Sequence, residues 1–417
     1  MTFLLRHRLA IALSLATGAS PAVAQNTLGM DEAIALSLGD QPTIDAFGRE
    51  AEASEQAAIA ARTLPDPQLM VGVRDFPVTG DKAFSPTADN FTMYMVGVMR
   101  EQVRRSKREA AAARLRAEAL VSRAEATAQE RRIQREVMVA WVNAVEAEAK
   151  QRLLDRLIGD LRAGHQLMEA GVPTGASTPS LALEMQAEIA LAEAQQVEAV
   201  GDEERARAQL ARWIGAAARR PLPDTVPALA LPDVTAGRVD DLSDHPAVEV
   251  AEAQEQAAQR IIDVARADRK SDISWSVSYG YRPDFGDLVT AQVTIPLQIN
   301  RAGRQNRRIA EAAARADAAR LRAQDTRREL ASAYGAALAD YKSAEAQLAI
   351  ILNQAVPSLE ASFEAAEARY GAGQGTLDRP LDIVRRYVEV TIRSIDEQAQ
   401  RARAAAELIY LSQDVAR

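Results

Sequence analysis

The chain carries the same glycine-rich turn twice, as GVPTGASTPSLAL at residues 171–183 and as GAGQGTLDRPLDI at residues 371–383, 200 positions apart (371 − 171). Each turn interrupts a long Ala-rich stretch whose composition favours a helix. A self-similarity at one fixed spacing is the sequence signature of a duplicated unit. We therefore expect two copies of one long helical hairpin.

Further correspondences extend the duplication beyond these turns. Three pairs of segments align: Gln41-Pro42 with His245-Pro246, Leu69–Val73 with Ile273–Val277, and Val96–Val98 with Val293–Ile295. The first two pairs are offset by 204 (245 − 41 and 273 − 69) and the third by 197 (293 − 96), so the intervening loop is shorter in the second copy. The sequence predicts repeat 1 over residues 25–225 and repeat 2 over residues 226–417. Each repeat would contain a helix, two strands and a long helical hairpin.

The first residues have the pattern of an export signal. Arg6 and Arg8 precede the apolar run Leu9–Ala16 and an Ala22-Val23-Ala24 cleavage motif, so we expect residues 1–24 to be a signal peptide. Loss of the two arginines takes the formal net charge from −8 to −10. The sequence has no cysteine, and we therefore expect no disulfide, no thiolate metal site and no lipid anchor.

Helical periodicity covers six segments: about Asp31–Arg62, Arg104–Met168, Ser180–Ile214, Pro246–Ala267, Arg304–Tyr370 and Pro380–Leu411. Strands are expected at about 68–76, 91–99, 272–281 and 288–296. In repeat 2 the first strand alternates Ser and Gly with apolar residues, which are Ile273, Trp275, Val277, Tyr279 and Tyr281. This alternation is typical of a transmembrane strand and also of a half-buried soluble hairpin, whereas the strands of repeat 1 are apolar on both faces.

Four strands cannot close a barrel, for which about eight is the minimum. A barrel would therefore have to be shared between chains. A helix of 65 residues would be about 100 Å long, which is far longer than the helices of ordinary domains. Together these features predict a hollow oligomer that is mainly α with a small β part.

The order and spacing of these elements resemble the TolC-like outer-membrane efflux factors over residues 30–413. The motifs that carry the resemblance are Gln41-Pro42, His245-Pro246, Leu64-Pro65-Asp66-Pro67, Val96-Gly97-Val98 and the two glycine turns. The resemblance implies a homotrimer with a trimeric α-barrel and a shared 12-stranded transmembrane β-barrel. It also implies a location in the outer membrane of a Gram-negative bacterium, extending into the periplasm. The implied partners are outer-membrane lipid, a periplasmic membrane-fusion adaptor and an inner-membrane pump.

The resemblance also implies roles for particular residues. The adaptor-contact tip turns would include Gly171, Gly175, Leu181, Tyr370, Gly371, Gly375 and Leu381. The periplasmic gate candidates are Asp382, Arg379 and Asp378, and the membrane-strand anchors are Trp275, Tyr279 and Tyr281. The family's first gate acid is replaced here by Arg379, with Asp378 as a substitute one position earlier. Arg379 and Asp382 could form an ion pair that holds the tip shut, or could be solvated surface charges.

Within the family, the PDPQL motif at residues 65–69, the pair Phe76-Pro77 and the motif Phe91–Met99 resemble members paired with heavy-metal pumps of the resistance-nodulation-division type. Met70, Met93, Met95 and Met99 fall in this hairpin, as soft metal ligands or as apolar filling. Drug or solvent efflux and type I secretion remain alternatives with the same fold. A soluble periplasmic coiled-coil scaffold is the alternative from a different class.

Enzymatic and nucleic-acid functions have no support in the sequence. No nucleophile–base signature is present, and neither His165 nor His245 has a partner at metal-ligand spacing, so we expect no catalytic residue, metal or cofactor. Basic runs at 100–108 and 301–308 follow the second strand of each repeat. In an exported acidic protein these runs indicate a membrane rim or a solvated helix start, and we expect no binding of nucleic acid.

Overall fold

The computed structural model describes residues 27–39, 41–87, 90–174, 177–229, 231, 239–283, 285–372 and 378–412. Its helices are α1 (Met30–Ser37), α2 (Pro42–Ala61), α3 (Arg105–Gly171), α4 (Pro179–Ile214), α5 (Pro246–Ala267), α6 (Gln305–Ile350), α7 (Val356–Gly371) and α8 (Asp378–Leu411). Its strands are β1 (Gln68–Arg74), β2 (Met93–Gln102), β3 (Ile273–Tyr281) and β4 (Leu288–Thr294). The predicted signal peptide, Gly175 and Gly375 lie outside the described residues.

The chain divides into two compact units. Unit 1 comprises Met1–Gln41, Gln129–His245 and Glu329–Arg417, and unit 2 comprises Pro42–Ala128 and Pro246–Arg328. Each unit takes segments from both predicted repeats. The repeat boundary near residue 225 stays a prediction from the sequence.

Unit 2 contains one four-stranded antiparallel sheet in the order β1-β2-β3-β4. In the first hairpin Val71 pairs with Val96, and in the second Trp275 pairs with Val293. These pairs are related by the same offsets of 204 (275 − 71) and 197 (293 − 96) that the sequence gives. The two hairpins therefore have the same register, as expected for two copies of one unit.

The core of unit 1 lies around Trp141 of α3, which is 1% exposed. Its indole N–H donates a hydrogen bond to the carbonyl oxygen of Leu28 at 2.9 Å, which ties the segment before α1 to α3. Helix α8 contributes small buried side chains to the core, namely Ala399, Ala402, Ala405 and Ala406. Small side chains let helices approach closely, so the Ala-rich sequence favours long helices packed side by side.

The residues before Pro42 and Pro246 have equivalent positions in the two repeats. The side chain of Gln41 donates a hydrogen bond to the carbonyl oxygen of Trp213, the penultimate residue of α4, at 3.2 Å. His245 packs edge-on against Tyr410, the penultimate residue of α8, with ring centroids 5.0 Å apart. In each repeat, the residue before the proline therefore contacts the end of the last helix of that repeat.

Several helices and strands differ from the sequence prediction. The helix expected over 31–62 is two helices, because Pro42 has no N–H to continue the first one and instead begins α2. The helix expected over 304–370 contains a π-helix at Ile351–Ala355. Pro357 lies two residues after its end, and the proline ring cannot be accommodated by regular α-helical bonding to residue 353. Strand β2 runs three residues further than expected, to Gln102, whereas β4 stops at Thr294.

Candidate functional site

One face of the sheet is apolar and open to its surroundings. Strand pairing brings exposed apolar side chains into adjacent rows on all four strands, namely Leu69, Val71, Val73, Tyr94, Val96, Val98, Trp275, Val277, Tyr279, Tyr281, Val289 and Val293. The expected strand anchors Trp275, Tyr279 and Tyr281 all belong to this face. A contiguous exposed apolar patch of this kind marks a surface that contacts lipid or protein.

The opposite face carries small, polar and thioether side chains. Its members are Met70, Met93, Met95 and Met99 in the first hairpin, and Ser274, Ser276, Ser278, Thr290, Gln292 and Thr294 in the second. Both faces of the first hairpin are therefore largely apolar, but one carries aliphatic and tyrosine side chains and the other carries methionines. The methionines lie on the face opposite the apolar rows, which argues against a role as lipid-facing filling.

The central strands β2 and β3 approach closely at Gly97. A Cβ atom at this position would lie 2.6 Å from the Cβ of Ser278 and 2.7 Å from the carbonyl oxygen of Val277. Contacts under about 3 Å do not occur between packed side chains, so the glycine is required by the space available. This approach fixes the two repeats against each other in the sheet.

An ion-pair cluster joins the end of β2 to the start of β3. The Lys107 ammonium lies 2.6 Å from Asp272 and 3.5 Å from Asp268. The Arg104 backbone N–H donates to Asp272 at 2.9 Å, and its side chain donates to the Ser271 carbonyl oxygen at 2.6 Å. The basic run of repeat 1 is therefore engaged by the connection that leads from α5 into β3.

The two outer strands have free edges. Among the described residues, β1 pairs only with β2, and β4 pairs only with β3. The residues after β4 continue its alternation with Ile295, Leu297 and Ile299, which are 52%, 80% and 91% exposed although no strand is formed there. An unpaired edge offers backbone N–H and C=O groups to another strand.

At the first tip, α3 and α4 are held together by a small apolar cluster in unit 1. Leu181, which is 8% exposed, packs with Met168 and Met185. The Thr178 hydroxyl caps α4 by accepting a hydrogen bond from the backbone N–H of Leu181 at 3.3 Å. Leu181 was expected among the adaptor contacts, but its side chain is directed into the hairpin.

At the second tip, Arg385 of α8 links two helical hairpins. Its guanidinium lies 2.6 Å from the carboxylate of Glu188 on α4 and 3.6 Å from that of Asp382. We call these three residues the α4–α8 clasp. Sequence reasoning missed Arg385 and Glu188, which are 197 positions apart (385 − 188) and carry no motif.

The other gate and tip candidates are only partly placed. Asp382 is exposed and belongs to the clasp, and Gly371 is the last residue of α7. The side chains of Tyr370, Asp378, Arg379 and Leu381 lie outside the described part of the chain. Further along α8, the Tyr387 hydroxyl lies 3.4 Å from the Glu360 carboxylate on α7. Burial, together with the Glu360 charge, raises the pKa of this hydroxyl, so the tyrosine stays a neutral donor.

Within the described residues, no cluster of three His, Asp or Glu side chains is placed to hold a metal ion. The described helices also include none that is both long enough and apolar enough to cross a membrane.

Comparison with solved structures identifies the fold. The fold is similar to that of a membrane protein from Pseudomonas aeruginosa, with 19% identity, a TM-score of 0.76 and coverage of 92% of this chain and 93% of that one. It is also similar to the outer membrane protein VceC of Vibrio cholerae, with 18% identity, a TM-score of 0.73 and coverage of 92% and 95%. For CusC, whose structures concern transmembrane channel formation, the identity is 17%, the TM-score 0.76 and the coverage 95% of both chains. The chain thus has the fold of the TolC-like channels.

Residues 239–412 match the family model described as outer membrane efflux protein. No curated protein sequence matches the chain. The fold match extends over most of the chain, whereas the family model matches 174 of its 417 residues (412 − 239 + 1). The expected fold class is confirmed.

Proposed function

We propose that three copies of this chain form the exit duct of a tripartite efflux system and conduct substrates passively from the periplasm to the exterior. The observation that carries this proposal is the four-stranded sheet, with one exposed apolar face, an opposite face that is polar in the second hairpin, and two free edges. An apolar outer face suits contact with lipid, and a polar inner face suits a water-filled path. Removing each large apolar side chain from water contributes about 1.5–3 kcal/mol, so the apolar rows favour insertion.

The duplication supplies the register in which neighbouring chains would pair. Within one chain β2 of repeat 1 pairs with β3 of repeat 2, including Arg100 with Trp275. The equivalent residues in β4 and β1 are Leu297 (100 + 197) and Val71 (275 − 204). We infer that Leu297 of one chain lies opposite Val71 of the next. In this arrangement the segment after β4, which includes Leu297, forms strand. The equivalent positions of repeat 1 are already strand, because β2 continues to Gln102.

When three chains pair in this way, β4 of each with β1 of the next, their strands form a closed ring of twelve. Four strands from one chain are below the minimum for closure, which is about eight. Trimers are the form that TolC-like channels take in tripartite systems. The free edges β1 and β4 are then both paired, which removes the exposed backbone groups.

The helical tips would control the duct and meet its partners. The α4–α8 clasp joins helices from both repeats with exposed charges, so an adaptor that binds the tips could replace these contacts. We assign Arg379, Asp378 and Asp382 to the same closure, and we assign the turns at 171–175 and 370–375 to adaptor contact. Replacing both Arg379 and Asp382 by Ala should raise single-channel conductance, whereas unchanged conductance would remove them from the gate.

We propose heavy-metal cations as the substrate class, exported by a pump of the resistance-nodulation-division type. Support comes from the motifs of the first hairpin and from its four methionines on the face that would line the duct. Thioether sulfur is a soft ligand suited to soft metal ions. Drug or solvent efflux and a type I secretion duct are the alternatives that the same fold serves.

Growth inhibition tests both the function and the substrate class. A deletion strain, its complemented form and the parent would be exposed to copper, silver, cobalt, zinc, cadmium and a panel of dyes and detergents. Sensitisation to metals alone, reversed by complementation, is the expected result. Sensitisation to dyes with normal metal tolerance would instead indicate that the exported substrates are drugs. Unchanged tolerance of every compound, with the expressed protein recovered from the soluble periplasm, would contradict the duct itself.

A further inference from the structure

The start of α6 carries a group of arginines that have no acidic partner. Arg301, Arg304, Arg307 and Arg308 are all exposed, and within the described residues their side chains form no hydrogen bond or ion pair. The first turn of α6 contains no acidic residue. Positive charge at a helix N-terminus opposes the helix dipole, so this arrangement is unfavourable unless an anion binds nearby.

The equivalent cations of repeat 1 are engaged. Positions 304, 307 and 308 correspond to Arg104, Lys107 and Arg108, each 200 residues earlier, because α3 and α6 begin at equivalent residues 105 and 305. Lys107 pairs with Asp272 and Asp268, and Arg104 donates to the carbonyl oxygen of Ser271. Arg108 donates to the carbonyl oxygens of Val103 and Arg62. The two copies of the same basic run therefore differ in their partners.

In the proposed ring, a neighbouring copy of the chain places no carboxylate at the two positions that engage the basic run of repeat 1, although Asp66 lies between them. In the proposed ring, α6 of one chain would meet the start of β1 of the next, just as α3 meets the start of β3 within one chain. The residues equivalent to Asp268 and Asp272 are Leu64 (268 − 204) and Gln68 (272 − 204), and neither is acidic. The arginines would thus remain without these partners in the assembled duct.

The arginines directly follow a strongly apolar segment. Ile295, Leu297 and Ile299 are 52%, 80% and 91% exposed, and the last of them lies two residues before the first arginine. An apolar surface followed by unpaired cations matches the two parts of a phospholipid, its acyl chains and its phosphate. The planar guanidinium suits phosphate because it can donate two parallel hydrogen bonds to phosphate oxygens.

We propose that Arg301, Arg304, Arg307 and Arg308 form a binding site for the phosphate group of a membrane phospholipid. This inference rests on the proposed function, because it requires the strands to lie in a bilayer. The site occurs once per chain, at the α6 start only, because its repeat 1 counterpart is occupied by Asp268 and Asp272. The bound lipid would set the depth at which the strands end and α6 begins.

The test measures the phospholipid retained by the protein purified in mild detergent. In the test variant all four arginines are changed to glutamine. The matched control carries Arg315→Gln, Arg320→Gln, Arg322→Gln and Arg328→Gln, which remove the same number of exposed charges further along α6. Retained lipid phosphorus per trimer and the binding of phosphatidylglycerol in nanodiscs are both measured. A competition arm adds inorganic phosphate.

We expect at least fivefold less retained lipid in the test variant, no loss in the control and little competition by inorganic phosphate. Equal lipid in both variants, with both still trimeric, would overturn the site while leaving the duct proposal intact. Dissociation of the test variant into monomers with unchanged lipid binding would instead assign the arginines to a chain–chain contact. Complete displacement by inorganic phosphate would show a simple anion site. If the fourfold variant does not assemble, Arg307→Gln with Arg308→Gln should lower retained lipid at least twofold, and unchanged lipid would count against the site.

Discussion

Removal of Arg385 should shift the duct towards its open state. The Arg385 and Glu188 side chains are 50% and 31% exposed and lie 2.6 Å apart. An exposed ion pair of this kind contributes about 0.2–1 kcal/mol. Three clasps in a trimer would contribute about 0.6–3 kcal/mol if they act independently. Since 1.4 kcal/mol is a factor of ten, the ratio of open to closed states should rise about 3- to 150-fold in Arg385→Ala.

Single-channel recording in planar bilayers measures this shift as open probability. The matched control is Arg162→Ala, because Arg162 and Glu193 form an ion pair of equal length, 2.6 Å, that joins only α3 and α4 of one hairpin. The charge-reversed pair Arg385→Glu with Glu188→Arg should restore closure. Equal open probability in the Arg385 variant, the Arg162 control and the unaltered protein would refute the clasp as a closing contact.

Two further predictions follow from packing and burial. Gly97→Val should prevent the sheet from forming and abolish trimers on gels, because a Cβ atom at position 97 would lie 2.6 Å from the Cβ of Ser278. Gly72→Val is the control and should be tolerated, because no atom lies within 4 Å of the Cβ position at residue 72. Burial lowers the pKa of His245 below 6.5, so the unfolded chain binds a proton more readily. Stability should therefore fall as pH drops below about 6.5, and His245→Asn should reduce this dependence of Tm on pH.

The helices and strands could be predicted from the sequence because the signals for them are local. The glycine turns, the proline motifs and the alternation in β3 each depend on residues close together in the chain. Their predicted ends agree with the structure to within a few residues, except where Pro42 splits a helix and Pro357 is preceded by a π-helix. In both cases the missing proline N–H altered backbone bonding inside a stretch whose side-chain pattern is continuous.

The sequence was less informative about which residues act together. The clasp joins residues 197 positions apart (385 − 188), and exposed charges on Ala-rich helices show no pattern that pairs them. The two faces of the first hairpin were also obscured, because valine and methionine are both apolar. Only the strand register places Val71 and Val96 on one face and Met70 and Met95 on the other. The sequence offsets could have revealed this, since they map Val71 onto Trp275.

The most direct test of the shared duct is a disulfide between neighbouring chains in intact cells. The chain has no cysteine, so Val71→Cys with Leu297→Cys introduces a single designed pair. The control pairs Val71→Cys with Val289→Cys, whose partner inside the chain is Tyr279 and which is eight residues out of the inferred register (297 − 289). Mild oxidation should yield covalent dimers and trimers, reversible by reductant, only from the first pair. Monomers alone from that pair, or equal cross-linking of the control, would contradict the proposal that β4 of one chain completes the sheet of the next.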